Sequence, residues 1–380
     1  MRPDAWNFSQ MNPDDENWFR RKIEEAVFAA VQALLDADKA AERADAVCRK
    51  HPGMPKDALA HILIDRATRK TMVEGALSGA AITVAEIPLA APVPEPGHKA
   101  LAISGISALI VGDIGFTTKV QMQLLLEIGE LYECPFSKDD EDDVWLIFKA
   151  ALGAKGTERI GGYGRFVFDQ TARKQFRRLL RTHGIRRTAQ KIVQKVAGTE
   201  VAKRISEKAL MRLIWAANIF IGAWFNRRAT KAVGKWAKVK AKVRASVFTE
   251  IDHIKANDRS SAVLVLPLIF WVGTADDTLV DNTITLYAQA TRRLSLTPEE
   301  LDEVEQIVDR EDLAEAIELR LRNVPELVRR EFLAIAVTSA AAARLEVVEA
   351  QHQALITISQ ALGQTYARKD LEEKISYLTR

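Results

Sequence analysis

Cysteine is scarce. Cys48 and Cys134 are the only two in 380 residues. That excludes a disulfide scaffold and a four-cysteine zinc site, and fits a reducing compartment in which lone thiols act as small hydrophobes. Nineteen glycines and twelve prolines are too few for a collagen-like or low-complexity chain. The six histidines (51, 61, 98, 183, 253, 352) are dispersed, and HExxH, CxxC and GxSxG do not occur. Cys48 and His51 lie three apart at a helix end that Pro52 breaks, a coincidence of composition and no nucleophile–base pair. A non-enzymatic protein without a catalytic residue is therefore expected. No uncharged apolar run reaches the ~18–20 residues of a spanning helix. The longest runs, 100–112, 213–225, 262–275 and 332–343, read as buried core helices. The first residues, MRPDAWNFSQMNPDDENW, carry acids and tryptophans where a secretory leader has a basic region and an apolar run.

What is present is apolar residue and charge in globular proportion: 48% hydrophobic and 28% charged. The net charge of +3 hides an asymmetry. Residues 155–244 hold 24 Lys and Arg against four acids, a net +20, which leaves −17 for the remainder. Such a block invites an anionic partner: lipid head groups or an acidic protein face. Nucleic acid is the weaker fit, because no helix-turn-helix, zinc finger or RNA-binding aromatic motif occurs. Within the block Arg173, Lys174, Arg177, Arg178 and Arg181 surround Phe176, Leu179 and Leu180. Further on come Arg227, Arg228, Lys231, Lys235, Trp236 and Lys238. Val233, Trp236, Val239 and Val243 recur at three- and four-residue spacing, with Lys235, Lys238, Lys242 and Arg244 flanking or opposing them. That predicts a basic amphipathic helix with Trp236 placed for an interface.

Helical periodicity dominates. Residues 18–50 carry Phe19, Ile23, Val27 and Leu34 on one stripe; His51-Pro-Gly-Met-Pro55 breaks it; 56–84 restarts with Leu59, Ile62, Leu63 and Ala67. A proline-glycine link follows Pro88, then a long apolar pattern over 98–131. The glycine-rich stretch 153–164 lacks GxxxxGK[ST] and follows a helix, so it reads as a bend and not a phosphate loop. No window alternates with period two. The expectation is an all-α, multi-helix protein: a tail over 1–14, a larger body over 15–250 with the basic segment 155–244, and a smaller helical domain over 255–380.

Two resemblances sharpen this. Pro88 after a small-residue helix, Asp113 and Gln121 or Gln123 on the next helix, Tyr132 at its end, and a late Gly222-Ala-x-x-Asn226-x-x-x-Thr230-x-x-x-Gly234-x-x-Ala237 pattern resemble the EcsC family over about 15–245. The resemblance implies membrane-associated helices and an accessory role in a bacterium. Cys134-Pro135 departs from it, standing where members usually continue with glycine. Physically, Gly222, Asn226, Thr230 and Gly234 form one ridge; small residues at that spacing let helices approach closely, and Asn226 and Thr230 can hydrogen-bond across the seam.

The C-terminal part repeats weakly: helix, acidic turn, helix at 264–296 and again at 332–362. This resembles the TerB-like (tellurite-resistance) helical domain, which implies an interaction or regulatory unit in a stress response, with acidic turns able to hold a divalent cation such as calcium. Asp276, Asp277 and Asp281 keep the first turn; Glu346 and Glu349 remain in the second, where Ala343 and Arg344 replace the expected Asp and Gly. Five carboxylates approach the six to eight oxygens calcium takes. Arg344 opposes a cation there, and could instead pair with an acid and replace it. Without that site no cofactor is implied.

These readings converge on an accessory protein, cytoplasmic and peripheral to the inner membrane, that meets an anionic membrane surface or protein partner through its basic helices. A homo-oligomer is compatible with them. The alternative is a helical protein holding a lipid or small molecule between the small-residue helices near 75–91 and 100–115.

Overall fold

The computed structural model describes residues 38–86, 116–136, 143, 147, 217–276 and 280–380. Among them every regular element is a helix and there is no strand, so the all-α expectation holds. In order these are α1 (Asp38–Lys50), α2 (Lys56–Glu86), α3 (116–131) and α4 (Ala217–Asn257), followed by a 3-10 turn (Arg259–Leu264). Then come α5 (Val265–Thr274), α6 (Asp281–Leu294), α7 (Pro298–Val308), α8 (Leu313–Leu321), α9 (Glu326–Arg344), α10 (Glu349–Leu362) and α11 (Arg368–Thr379).

The chain divides into two compact units. The division falls between Trp236 and Ala237, inside α4, with Tyr132–Pro135 assigned to the second unit. Residues 250–255 lie within α4.

In the first unit, the predicted break at His51–Pro55 joins α1 and α2. Gly53 takes φ +75°, and the Ala58 and Leu59 amides donate to the Pro55 carbonyl. Leu59, Leu63 and Ile64 of α2, Met122, Leu125 and Ile128 of α3, and Ala229 and Val233 of α4 are buried. Glu127 of α3 is buried as well, and Arg43 of α1 and Arg66 of α2 each place a nitrogen 2.6 Å from its carboxylate.

The second unit is built around α5 and α9. Seven of ten residues in α5 (VLPLIFWVGT) and eleven of nineteen in α9 are buried. Pro267 sits in the first turn of α5, where its missing N–H costs nothing. The helix pairs expected at 264–296 and 332–362 are α5–α6 and α9–α10. Thr297 caps α7 as its LTPEEL sequence predicts: the Glu300 amide donates to Thr297 Oγ1 (3.2 Å), and the Thr297 amide to Glu300 Oε2 (2.8 Å).

Candidate functional site: a hydrogen-bonded seam, a cationic stripe and an internal guanidinium

The ridge expected on α4 faces inward. Asn226, Thr230 and Gly234 are buried, and their partners lie on α2 and α3. Asn226 Nδ2 donates to the Thr71 carbonyl at 3.2 Å. Gln121 Nε2 donates to Thr230 Oγ1 (3.3 Å), and the Thr230 and Thr71 hydroxyls lie 2.9 Å apart. With Thr71 donating to the Thr68 carbonyl (3.2 Å), Thr230 donates to Thr71. Gly234 meets Ile64: a Cβ there would stand 2.5 Å from Ile64 Cγ1, so only glycine admits this approach. Of the two glutamines considered, Gln121 is the buried, engaged one; Gln123 is half-buried. The sequence reading missed Thr71, and also Thr68, Thr117 and Thr118, whose hydroxyls, like Gln121 Oε1, are buried without a hydrogen-bond partner among the described residues. A hydroxyl among apolar residues at helical spacing was the available signal.

One residue along, α4 turns its charge outward. Arg227, Arg228 and Lys235 are exposed, Lys231 partly so, and Trp236 is half-buried. Arg227, Lys231 and Lys235 recur every four residues and form no ion pair among the described residues. Pro88, Asp113, Arg173, Lys174, Arg177, Arg178, Arg181 and Asp277 lie outside the described residues, as do the side chain of Asp281 and, of the segments 75–91 and 100–115 expected to hold a ligand, residues 87–91 and 100–115; Gly222 lies in α4.

Lys238, expected beside these cations, is a correction. It is 2% exposed, and its Nζ donates to the Arg380 carbonyl beyond the end of α11. Lys242 and Arg244, also expected on a solvated face, are buried too. Lys242 Nζ donates to the Tyr377 carbonyl (2.6 Å) and stands 4.5 Å from that ring's centroid. Arg244 donates to the Pro135 carbonyl (3.4 Å) and lies over Phe248. The physical reason is that a helix C-terminus offers unpaired carbonyls and the negative end of its dipole, so it can hold ammonium groups out of water.

In the second unit the two turns do come together, through a side chain. Arg344 Nη2 lies 2.7 Å from Asp276 Oδ2, with both side chains about four-fifths buried. Asn282 Nδ2 donates to the carbonyls of Ala342 and Ala343 (2.9 and 3.2 Å), and Lys240 Nζ donates to Asn282 Oδ1 (2.6 Å). Arg344 therefore pairs with an acid, as the second of its two readings expects. Glu346 is exposed. Glu349 accepts from Gln353 (2.8 Å) and Arg368 (3.2 Å), contacts that hold its carboxyl below the usual range, the Gln353 hydrogen bond most of all. Among the described residues no three His, Cys, Asp or Glu side chains are grouped to hold a metal, and no helix is long and apolar enough to cross a membrane.

A further cluster was not anticipated. His253 Nδ1 lies 2.8 Å from Glu331 Oε1. Burial first, and Glu331 second, raise the carboxyl of Glu250, while burial lowers the Lys374 ammonium, which donates to Ser246 Oγ at 3.3 Å. No family model, curated protein or solved structure matches the chain.

Proposed function

We propose that this chain is a non-enzymatic accessory protein of a bacterial envelope or stress response, peripheral to the inner membrane on its cytoplasmic side, that binds an anionic surface through its basic helical segment. In this reading the first part is an EcsC-like body and the second a TerB-like interaction or regulatory module. The observation that carries it is the outward stripe Arg227, Lys231 and Lys235, held on the solvent side because Asn226, Thr230 and Gly234 are locked inward. Each basic residue near an anionic bilayer contributes about 1 kcal/mol, so three give roughly two decades of affinity before the rest of the +20 segment is counted. Val73 and Leu77, exposed one turn apart on α2, add apolar contact. The test is flotation with phosphatidylcholine vesicles with and without phosphatidylglycerol. Binding that requires the anionic lipid, fades as salt rises and weakens in Arg227→Glu/Lys231→Glu/Lys235→Glu supports the proposal. Equal binding to both vesicles, or none, overturns it.

The second reading, a helical lipid- or small-molecule-binding protein, is favoured by the buried side-chain oxygens of Thr68, Thr117, Thr118 and Gln121, which have no hydrogen-bond partner among the described residues. Buried polar atoms without partners cost about 1–3 kcal/mol each, a cost a bound polar molecule would relieve. Native mass spectrometry of the purified protein decides: a stoichiometric copurifying molecule favours this reading, and a bare chain removes it.

A further inference from the structure

The helix α11 packs along α9 with Ile375 half-buried, but few of its side chains are fully buried. Of the twelve residues of α11 only Leu371 and Leu378 are buried. Arg368, Lys369, Glu372 and Glu373 are exposed and pair within the helix or with Glu349. An element with few buried apolar side chains is among the first to open.

What α11 covers is cationic. Lys242 lies under Tyr377, bonded to its carbonyl; Lys238 is bonded to the carbonyl of Arg380; neither is more than 2% exposed. Ammonium groups are strongly hydrated, and the carbonyls of α11 replace part of that hydration while the helix end stays in place. The same surface of α11 carries a burial cost of its own, since Lys374 is driven toward its neutral form by desolvation. In sequence Lys231, Lys235, Lys238 and Lys242 recur at intervals of four, three and four, the period of one helical face. Lys235 is exposed and Lys231 partly so; Lys238 and Lys242 lie beneath α11.

We propose that α11 is a displaceable strap: it sequesters Lys238 and Lys242, and an anionic lipid surface that takes over the two ammonium groups releases it. The inference rests on the anionic-surface reading above and adds its regulation. A surface can shift an equilibrium only by its differential affinity for the two states. Here the difference lies in the two ammonium groups that α11 covers in the closed state and uncovers in the released one. The protein then binds weakly while strapped and tightly once a sufficiently anionic surface competes with the carbonyls of α11.

The test uses the full chain. Leu378→Ala removes one of the strap's two buried anchors. On phosphatidylglycerol-containing vesicles the variant is expected to bind roughly ten- to thirty-fold more tightly than wild type. Adding Lys238→Met and Lys242→Met to Leu378→Ala is expected to erase that gain. Hydrogen exchange on the wild type gives an independent readout: α11 amides lose protection on anionic vesicles while those of α9 keep theirs. An unchanged affinity in Leu378→Ala, or a gain that survives loss of the two lysines, overturns the strap. If wild type shows no binding to anionic vesicles, the anionic-surface reading itself fails. If it binds in a salt-dependent way and α11 stays protected, the strap alone fails.

Discussion

Two stretches of one helix carry the same kind of sequence and meet opposite environments. Arg227, Lys231 and Lys235 have no ion-pair partner among the described residues and lie wholly or partly in solvent; Lys238, Lys242 and Arg244 are buried. The difference lies in the neighbours. In the first unit Thr71 and Gln121 hydrogen-bond the Asn226 and Thr230 of α4's small-residue ridge, which leaves the charged side to water. In the second unit the carbonyls at the end of α11, and that of Pro135, are at hand to accept from long cationic side chains. A run of Lys and Arg thus predicts charge, and the supply of acceptors decides whether the charge is displayed.

The interiors differ in the same sense. The second unit is held by an apolar cluster centred on α5 and α9, in which Phe332, Ile335, Leu268 and Ile269 are fully buried. The first is held across α2, α3 and α4 by hydrogen bonds and by the Glu127 ion pairs as well as by apolar contact. The largest effect that would sharpen this contrast is Phe332→Ala. A cavity at a fully buried phenylalanine is expected to cost about 3–5 kcal/mol, read by chemical denaturation. Hydrogen-exchange protection should fall in α5, α9 and α10 and stay in α2 and α3. A loss shared equally by α2 and α3 would break the distinction between an apolar and a hydrogen-bonded unit.

Next in size is Arg344→Met. Its guanidinium and the Asp276 carboxylate are mostly buried, and stranding a carboxylate costs more than removing the pair. The expected loss is about 2–3 kcal/mol, reduced by half or more when Asp276→Asn is added. A double-mutant cycle in denaturant measures this. Additive losses would mean that the pair does not join the two turns.

Gly234→Ala is smaller. Alanine gains about 1 kcal/mol in helix propensity but must displace Ile64, 2.5 Å from its Cβ. A net loss of about 1–2 kcal/mol is expected, and a smaller one in an Ile64→Ala background, which lacks the Cγ1 the new methyl would meet. The second unit uses the same device, since a Cβ at Gly273 would stand 2.2 Å from Thr283 Cγ2. If Gly234→Ala is neutral without the Ile64 change, the seam is looser than its geometry indicates.

Much of this fold was legible in the sequence, and the reasons are local. The break at His51–Pro55, the Thr297 cap, the paired helices of the second unit and the ridge of α4 each announce themselves within a dozen residues, through proline, a capping box or four-residue spacing. The contacts that were not legible join residues far apart. Nothing near Lys238 signals Arg380, nothing near Glu127 signals Arg43, and Thr71 is silent about Thr230. Arg344 shows where the boundary falls: its replacement of a glycine flagged an altered turn, and its salt bridge to Asp276 was one of two readings left open until the turns were seen together.

The smallest effect concerns pH, and it distinguishes a displayed charge from an enclosed one. Glu250, near Glu331, His253, Arg330 and Lys374, has its carboxyl raised above the ordinary 4.5, chiefly by burial and next by Glu331. A raised carboxyl means the folded state holds its proton more tightly than the unfolded state. Its contribution to stability is therefore fully present below about 4.5 and is lost as pH rises through the raised value. Lys374, lowered from 10.5 by burial, runs the other way: its contribution is present above its ordinary value and is lost as pH falls through the lowered one. Above its raised value the Glu250 carboxylate is charged at a cost, and below its lowered value so is the Lys374 ammonium. Glu250→Gln fixes the first group in the neutral form, so the variant should melt higher than wild type near pH 7, with the two profiles converging in acid. Asp312, exposed and hydrogen-bonded to Arg310, is the contrasting case: its carboxyl is lowered, so its contribution is present at neutral pH and is lost as pH falls. Thermal melts of wild type and Glu250→Gln across this range suffice. A variant that melts lower at every pH would show that the Glu250 carboxylate acts through Lys374 and not against its own burial.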